Sequence, residues 1–204
     1  MCYSTSIDKE LKDLQIHFQR QLKKERPFER MDINLGFSHN FTPIISNDEP
    51  QVLSMAQWGL VPSWAKDQSF RANTLNARIE TITQKPTFRP YLNNRCLIIA
   101  DGFYEWQWLD TKGKKKQKYF ISIPDKEIFT FAGLFCDSLD RASGAIYRTY
   151  SIVTTDANEL MATIHNTKKR MPIILPSTFE AHWLNLGALN DFAKIETELI
   201  ATKR

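Results

Sequence analysis

Cysteine is scarce in this sequence, which has three among 204 residues: Cys2, Cys96 and Cys136. An odd number so widely spaced, without a CxxC pair or an accompanying HExxH, argues against a disulfide framework and against a structural zinc site. Cys96 and Cys136 lie in apolar runs and are expected to be buried like small hydrophobic side chains, whereas Cys2 is not. No spacing implies a metal or a cofactor, and we expect neither.

Long hydrophobic runs are also missing. No stretch approaches the roughly 18 consecutive apolar residues of a membrane helix. The start, MCYSTSIDKELKD, becomes charged before a signal-type apolar segment could form. We therefore expect an unexported, cytoplasmic protein with no membrane partner. Lys and Arg number 27 against 23 Asp and Glu, a net charge of +4, and this mild excess permits nucleic-acid binding without arguing for it.

No internal repeat, low-complexity tract or linker divides the chain. Its 42% hydrophobic and 25% charged residues are typical of globular proteins, and its length favours one α+β domain over residues 1–204. Strand-like runs follow one another between about residues 42 and 155. Capping residues and apolar spacing predict helices over the following segments: 6–24, Asp156 to His165, 177–185 and 188–196.

Cys2 is a candidate for unusual reactivity. If the initiator methionine is removed, this residue carries a free α-amine and a thiol on adjacent carbons, a 1,2-aminothiol. The amine, with a reference pKa of about 8, is partly neutral at physiological pH, and the thiol, at about 8.5, is easily activated by a base. Both groups can engage one aldehyde, the amine as an imine and the thiolate by closing a thiazolidine ring. The alternative is a frayed, inactive terminus.

Two segments contain polar or aromatic residues that could bind a ligand. Trp58, in an apolar strand, is expected in the core, whereas Trp64, in turn-like sequence, is the better candidate for an exposed stacking residue. Asn76 and Arg78 are two apart and would share a face of an extended strand, where an amide and a guanidinium suit an anion. A purely structural Arg78, paired with Glu80, is the alternative.

Glu105 and His165 are the candidate proton-transfer residues. In the strand GFYEWQW, Glu105 alternates with the aromatics Tyr104 and Trp106, so an inward Glu105 would have a raised pKa suited to acid/base work and an outward one would be a solvated residue. His165 titrates near neutral pH, or simply ends a helix. The lysine-rich segment DTKGKKKQK after this strand predicts a hairpin with a basic tip.

Together these segments resemble the SRAP family, the SOS response-associated peptidases or abasic-site processing proteins. The matching elements follow the family's order and approximate spacing across residues 1 to about 185: the Met-Cys start, WGLVPSWAKD, NARIET, RCLIIADGFYEW, the basic hairpin leading to YFI, FAGLF, SIVTTDAN, IHN and RMPIIL. The resemblance implies an antiparallel, barrel-like β core flanked by helices, which agrees with the strand-rich middle of the chain.

The resemblance also implies a function and a role for each motif residue. The family holds single-stranded DNA and forms a covalent thiazolidine between its terminal cysteine and an abasic sugar, which protects the strand from breaking. By motif position, Cys2 is the nucleophile, Asn76 and Glu105 position and activate it, and His165 is the acid/base residue beside the sugar. The remaining matches concern DNA contact: Arg78 to a phosphate, Thr154 along the DNA path, and Trp64 and Trp106 in DNA-contacting segments.

Two departures from the family pattern stand out. The family usually begins MCGR, with the arginine near the DNA backbone, whereas this chain begins MCYS. One phosphate contact is therefore missing or supplied elsewhere, which affects DNA affinity more than chemistry. The chain also stops at ELIATKR where many members have a Pro-Val-Ser and Val-Asn tail, so either the final strand is altered or the sequence is shortened.

Two other functions remain open from the sequence. Cys2 could be an amino-terminal nucleophile for amide hydrolysis, supported by Glu105 and His165, which would also account for autocatalytic removal of Met1; a housekeeping aminopeptidase could equally remove it. A noncovalent single-strand binder would use Trp64, Trp106, Arg78 and the lysine loop. We expect a monomer whose partner is single-stranded DNA with abasic sites.

Overall fold

The structure is a computed structural model that describes residues 2–65, 67–125, 127–141 and 143–204. These residues form the following helices and strands in chain order: β1 (Ser4–Ile7), α1 (Leu11–Phe18), β2 (Gln21–Leu22), β3 (Met31–Leu35), β4 (Phe41–Ser46), β5 (Val52–Trp58), β6 (Asn76–Arg78), β7 (Arg95–Ala100), β8 (Gly102–Trp108), β9 (Lys116–Ser122), β10 (Phe129–Leu139), β11 (Ile146–Asp156), α2 (Glu159–Ile164), β12 (Arg170–Pro172), β13 (Ile174–Leu175), α3 (Ser177–Leu184) and β14 (Ile200–Lys203).

Five strands close into a barrel. β5 pairs with β4, β4 with β7, β7 with β10 and β10 with β11, all antiparallel. β11 then returns to β5 in a short parallel pairing that matches Thr149 with Gln57 and Tyr150 with Trp58. The indole of Trp58 stacks on Tyr150 across this seam, with ring centroids 6.3 Å apart. The barrel-like β core expected from the sequence is confirmed, with a parallel seam where it closes.

A second, antiparallel sheet lies against the barrel, in the order β14-β9-β8-β1-β3. Its inner side chains share one apolar cluster with barrel residues, and Phe103 of β8 meets Phe131 of β10 edge to face at 5.8 Å. Cys2 belongs to the same cluster. The amino end of the chain is therefore enclosed between the two sheets.

The helical prediction for residues 6–24 is only partly correct. Thr5 and Ser6, expected to start the helix, pair instead with Phe103 and Gly102 of β8, so the helix is confined to α1. The apolar spacing was informative within α1, where Leu14 and Phe18 are the buried residues. Among the described residues, no helix is long and apolar enough to cross a membrane.

Two further differences lie in the second half of the chain. Asn158, not Asp156, caps α2: its side-chain oxygen accepts a hydrogen bond from the Met161 amide at 2.9 Å. The expected helix over 188–196 is reduced to one 3₁₀ turn at Leu189–Asp191. The lysine-rich segment does form the β8–β9 hairpin, and the atypical end of the chain forms β14, an edge strand paired with β9.

Trp58 and Trp64 differ in burial as the sequence predicted. Trp58 is fully buried, and its Nε1 donates to the Leu75 carbonyl at 2.9 Å, whereas Trp64 is 52% exposed. We expect Trp58→Phe to lower the free energy of unfolding by about 2 kcal/mol, through lost packing and one lost hydrogen bond. Trp64→Phe should change it by less than about 0.5 kcal/mol. Urea denaturation of both variants checks this, and equal losses would contradict the assignment of Trp58 to the core.

Candidate active site

Cys2 lies two residues before the start of β1 and is buried, as are Cys96 and Cys136. The expectation that Cys2 differs from the other two cysteines in burial is therefore wrong. The cause is β1, which inserts between β8 and β3 and carries residue 2 into the apolar cluster. Burial, and next the charge of Glu105, raise the pKa of the Cys2 thiol far above its ordinary value. The thiol is consequently protonated at neutral pH in this environment.

Asn76 fixes the position of Cys2. Its Nδ2 donates to the Cys2 carbonyl at 2.8 Å, a contact across 74 residues of sequence. The other polar side-chain atom, Oδ1, is buried and has no hydrogen-bond partner among the described residues. Because a buried unpaired acceptor costs free energy, this oxygen is suited to accept a hydrogen bond from a bound ligand.

Arg78 lies two residues further along β6, which pairs in parallel with β11. Its side chain is exposed and makes no hydrogen bond or ion pair with any residue that the structure describes. Glu80, the alternative partner, is bound instead by Arg170, whose two terminal nitrogens contact the Glu80 carboxylate at 2.8 and 2.9 Å. The Arg78 guanidinium therefore remains available to an anion.

Glu105 lies on the inward face of β8 and is buried. Burial raises the pKa of its carboxyl from 4.5 to about 7. Its charge contributes to the raised pKa of the Cys2 thiol, so the two groups lie within electrostatic reach of each other. Of the two orientations that the strand pattern left open, the structure has the one in which Glu105 can exchange a proton near neutral pH.

His165 follows α2 and is also buried. Its Nδ1 lies 2.8 Å from the Arg170 carbonyl. The Arg170 amide also lies 3.3 Å from Nδ1, but because a carbonyl oxygen only accepts, the shorter contact favours the proton on Nδ1, which leaves Nε2 as the acceptor nitrogen in the neutral ring. Burial lowers the pKa of the imidazole, which favours that neutral form. Met161 and Ile164 of α2 belong to the apolar cluster of Cys2, so the α2 end lies beside the same site.

Asn166 is a residue whose role the sequence analysis missed. Its Nδ2 donates to the Trp108 carbonyl at 2.9 Å, and its Oδ1 accepts from the Trp108 amide at 3.2 Å. The side chain thus bonds to β8 as another strand would, and it ties the His165 turn to the strand of Glu105. The only sequence signal was the amide that follows histidine in IHN.

Thr154 does not line an exposed surface. Its side chain is fully buried, with the hydroxyl 3.4 Å from the Ala77 carbonyl, and Arg170 donates to the Thr154 carbonyl at 2.9 Å. Arg170 also pairs with Asp156 at 2.7 Å. Thr154 of β11 and Arg170 of β12 therefore stabilise the position of β6. Arg170 is the second residue that the sequence analysis missed.

Trp64 and Trp106 lie apart from this buried group. Trp64 packs edge to face against Phe70 at 5.1 Å, and its neighbour Lys66, part of the WAKD motif, lies outside the described residues. Trp106 is half-buried on the face of β8 opposite Glu105. In the part of the chain that the structure describes, no three His, Cys, Asp or Glu side chains are grouped closely enough to hold a metal ion.

Comparison with known proteins finds relatives in a bacterium and in a vertebrate. Abasic site processing protein YoaM of Bacillus subtilis is 42% identical over 153 residues, which cover 74% of this chain and 65% of the relative. Abasic site processing protein HMCES of Gallus gallus is 35% identical over 177 residues, covering 74% and 49%. The matched region thus spans less than two thirds of the bacterial relative and about half of the vertebrate one.

Solved structures share the fold of this chain, and a protein family matches its sequence. A protein from Bacteroides thetaiotaomicron superposes with a TM-score of 0.88 at 31% identity, covering 99% of this chain and 91% of the other. A protein from Bordetella bronchiseptica shares the fold, with a TM-score of 0.82 at 23% identity over 100% and 99% of the two chains. Residues 1–202 match the family described as SOS response associated peptidase, SRAP. The chain belongs to the SRAP family.

Proposed function

We propose that this protein processes abasic sites in single-stranded DNA by forming a thiazolidine between the sugar aldehyde and the α-amine and thiol of Cys2. The observation that carries the proposal is the enclosure of Cys2 between two sheets, with Asn76 on its carbonyl and the Glu105 carboxyl within electrostatic reach. Family membership and the names of the relatives support the choice of substrate. We further propose that residues 1–204 act as one SRAP-like domain.

The reaction needs no redox partner. The Cys2 amine adds to the C1′ aldehyde and water leaves, which gives an imine. The thiol then adds across the C=N bond, so that sulfur bonds to carbon and the proton ends on nitrogen. A simple imine would promote loss of the 3′ phosphate by β-elimination, and ring closure removes that imine.

Glu105 and His165 transfer protons in different steps of the reaction. Glu105, with a pKa of about 7, takes a proton from the ammonium and returns one during ring closure. His165, neutral and with Nε2 as its acceptor nitrogen, exchanges the proton at the sugar oxygen as the hemiacetal opens. Asn76 holds the Cys2 backbone in place, and its Oδ1, which has no partner among the described residues, accepts a hydrogen bond from the substrate.

The proposal requires that Met1 be removed, because an acylated nitrogen cannot form the imine. Met1 lies outside the described residues, and removal occurs by autoprocessing or by an aminopeptidase. Removal by autoprocessing would account for the word peptidase in the family name.

Loss of the Cys2 thiol should leave only a transient link to DNA. We expect Cys2→Ala to form no denaturation-resistant adduct with an oligonucleotide carrying one abasic site, whereas borohydride should trap the imine of its free amine. Cys96→Ala, a change at another fully buried cysteine, should form the adduct normally. A denaturing gel measures the adduct. A stable adduct of Cys2→Ala without reductant contradicts the thiazolidine, and the absence of any wild-type adduct contradicts the proposed function.

The Glu105 carboxyl should set the pH dependence of adduct formation. We expect the wild-type rate to rise as the pH passes through about 7, because the carboxylate is the form that accepts a proton. Glu105→Gln should lose this inflection and be slower by about 100-fold or more at pH 7.5. Single-turnover rates between pH 5.5 and 8.5 measure both effects, and an unchanged profile in Glu105→Gln would exclude Glu105 as the base.

The free energy of unfolding provides a control for the Glu105→Gln variant. Because the folded pKa of Glu105 exceeds its ordinary value of 4.5, the folded protein binds the proton more tightly than the unfolded chain. The stabilisation is complete below pH 4.5 and is lost as the pH rises through about 7. Glu105→Gln should therefore match the wild type at pH 4 and be more stable at pH 8, by up to roughly 3 kcal/mol.

Arg78 should govern affinity rather than chemistry. We expect Arg78→Ala to weaken binding to single-stranded DNA and to reduce the salt slope of binding by roughly 0.7, the value for one neutralised phosphate. Lys12→Ala removes the same charge from the exposed face of α1 and should leave the slope unchanged. Anisotropy titrations from 50 to 300 mM salt compare the two. Equal slopes in all three proteins would rule out a phosphate contact at Arg78.

A further inference from the structure

Phe37 is an exposed aromatic residue that belongs to no core. Its side chain is 61% exposed, yet its ring stacks on Tyr3, with centroids 5.4 Å apart and planes 27° from parallel. Tyr3 is half-buried and follows Cys2 directly. The two rings therefore form a stacked pair beside the nucleophile, and much of the Phe37 ring is open to solvent.

The turn that carries Phe37 is held tightly in place. Phe37 lies in the 3₁₀ turn Gly36–Ser38 after β3, and the Gly36 amide donates to the Tyr3 carbonyl at 2.8 Å. A Cβ atom at Gly36 would lie 3.0 Å from Leu75 and 3.4 Å from Trp58. Leu75 immediately precedes Asn76, so the ring pair has a fixed position relative to the residue that holds Cys2.

Tyr3 lies near both the reacting groups and the proposed phosphate contact. The pKa of the Tyr3 hydroxyl is raised mainly by burial and further by Glu105, while Arg78 lowers it. Tyr3 thus lies within electrostatic reach of both Glu105 and Arg78. Since Tyr3 follows Cys2 directly, a DNA strand that contacts both Cys2 and Arg78 comes close to the ring pair.

Aromatic rings are what this segment offers to a ligand. Ser4, directly after Tyr3, is buried and pairs with Leu35 in the sheet. Base stacking on aromatic side chains strengthens single-strand binding without adding charge.

We propose that Tyr3 and Phe37 form a stacking platform for the nucleobase next to the abasic site. The platform rests on the proposed function, since it assigns a neighbouring base to the same DNA strand. The base lies on the exposed Phe37 ring while the sugar without a base reaches Cys2. Its contribution is insensitive to salt, in contrast to that of Arg78.

A cycle of protein and DNA changes tests the platform. The probe is a single-stranded heptamer with a central tetrahydrofuran in place of the abasic sugar, in which each flanking base is removed in turn. We expect removal of one particular base to weaken wild-type binding about five-fold or more. Phe37→Ala should lose as much with that base present and nothing further when the base is removed, with an unchanged salt slope. Phe37→Trp should restore binding.

Leu35→Ala is the matched control, because Leu35 is also an exposed apolar residue, at 48%, and lies on the adjoining β3. It should bind every heptamer like the wild type. Wild-type affinity in Phe37→Ala, or additive losses at every position, overturns the platform. Size-exclusion chromatography of both variants covers the other possible occupant: if Phe37→Ala abolishes self-association and leaves DNA binding intact, the rings are a contact between copies and the platform is overturned.

The gel assay with a natural abasic site separates this inference from the proposed function. A wild-type adduct together with additive losses overturns the platform alone. A non-additive cycle without any adduct overturns the covalent chemistry and supports a platform in a noncovalent binder. Because Phe37 is exposed, Phe37→Ala should melt like the wild type, and Tyr3→Phe, which keeps the ring, should behave normally in the cycle.

Discussion

The pairing of β1 between β8 and β3 is the constraint on which the whole site depends. Thr5 and Ser6 bond to β8 on one side, and Ser4 and Thr5 pair with β3 on the other. A chain end normally frays, but this one is the interior strand of a sheet. Residue 2 is therefore fixed to within the tolerance of a β ladder, and the hydrogen bond from Asn76 adds a second, independent restraint.

The burial of the site then determines the pKa shifts of its titratable groups. The same apolar surroundings that bury Cys2 raise the pKa of Glu105 to about 7 and lower that of His165, so burial favours the uncharged form of each group. The Arg78 side chain is exposed, whereas the Arg170 guanidinium pairs with Glu80 and Asp156. Under the proposed function, the buried groups serve the chemistry and the exposed cation serves DNA binding.

Local patterns in the sequence predicted what local forces determine. Alternation along β8 placed Glu105 opposite the aromatics, and the spacing of Leu14 and Phe18 identified the buried face of α1. Whether Glu105 faces inward depends on the packing of the two sheets, and the sequence left that open. The burial of Cys2, the pairing of Asn166 with Trp108 and the parallel seam from Tyr150 to Trp58 all join distant segments. No periodicity or motif spacing reports such contacts, and here the family resemblance supplied the residues but not their environment.

The interior position of β1 also orders events during synthesis. The strand that covers Thr5 and Ser6 begins at Gly102, about 100 residues later in the chain. At about 5–20 residues per second, roughly 5–20 s pass before β8 exists to pair with β1. During that interval the edge of β1 that later pairs with β8 is uncovered, and afterwards Cys2 is buried. If, as proposed, an aminopeptidase removes Met1, the topology limits the period in which it can act, and translation sets the length of that period.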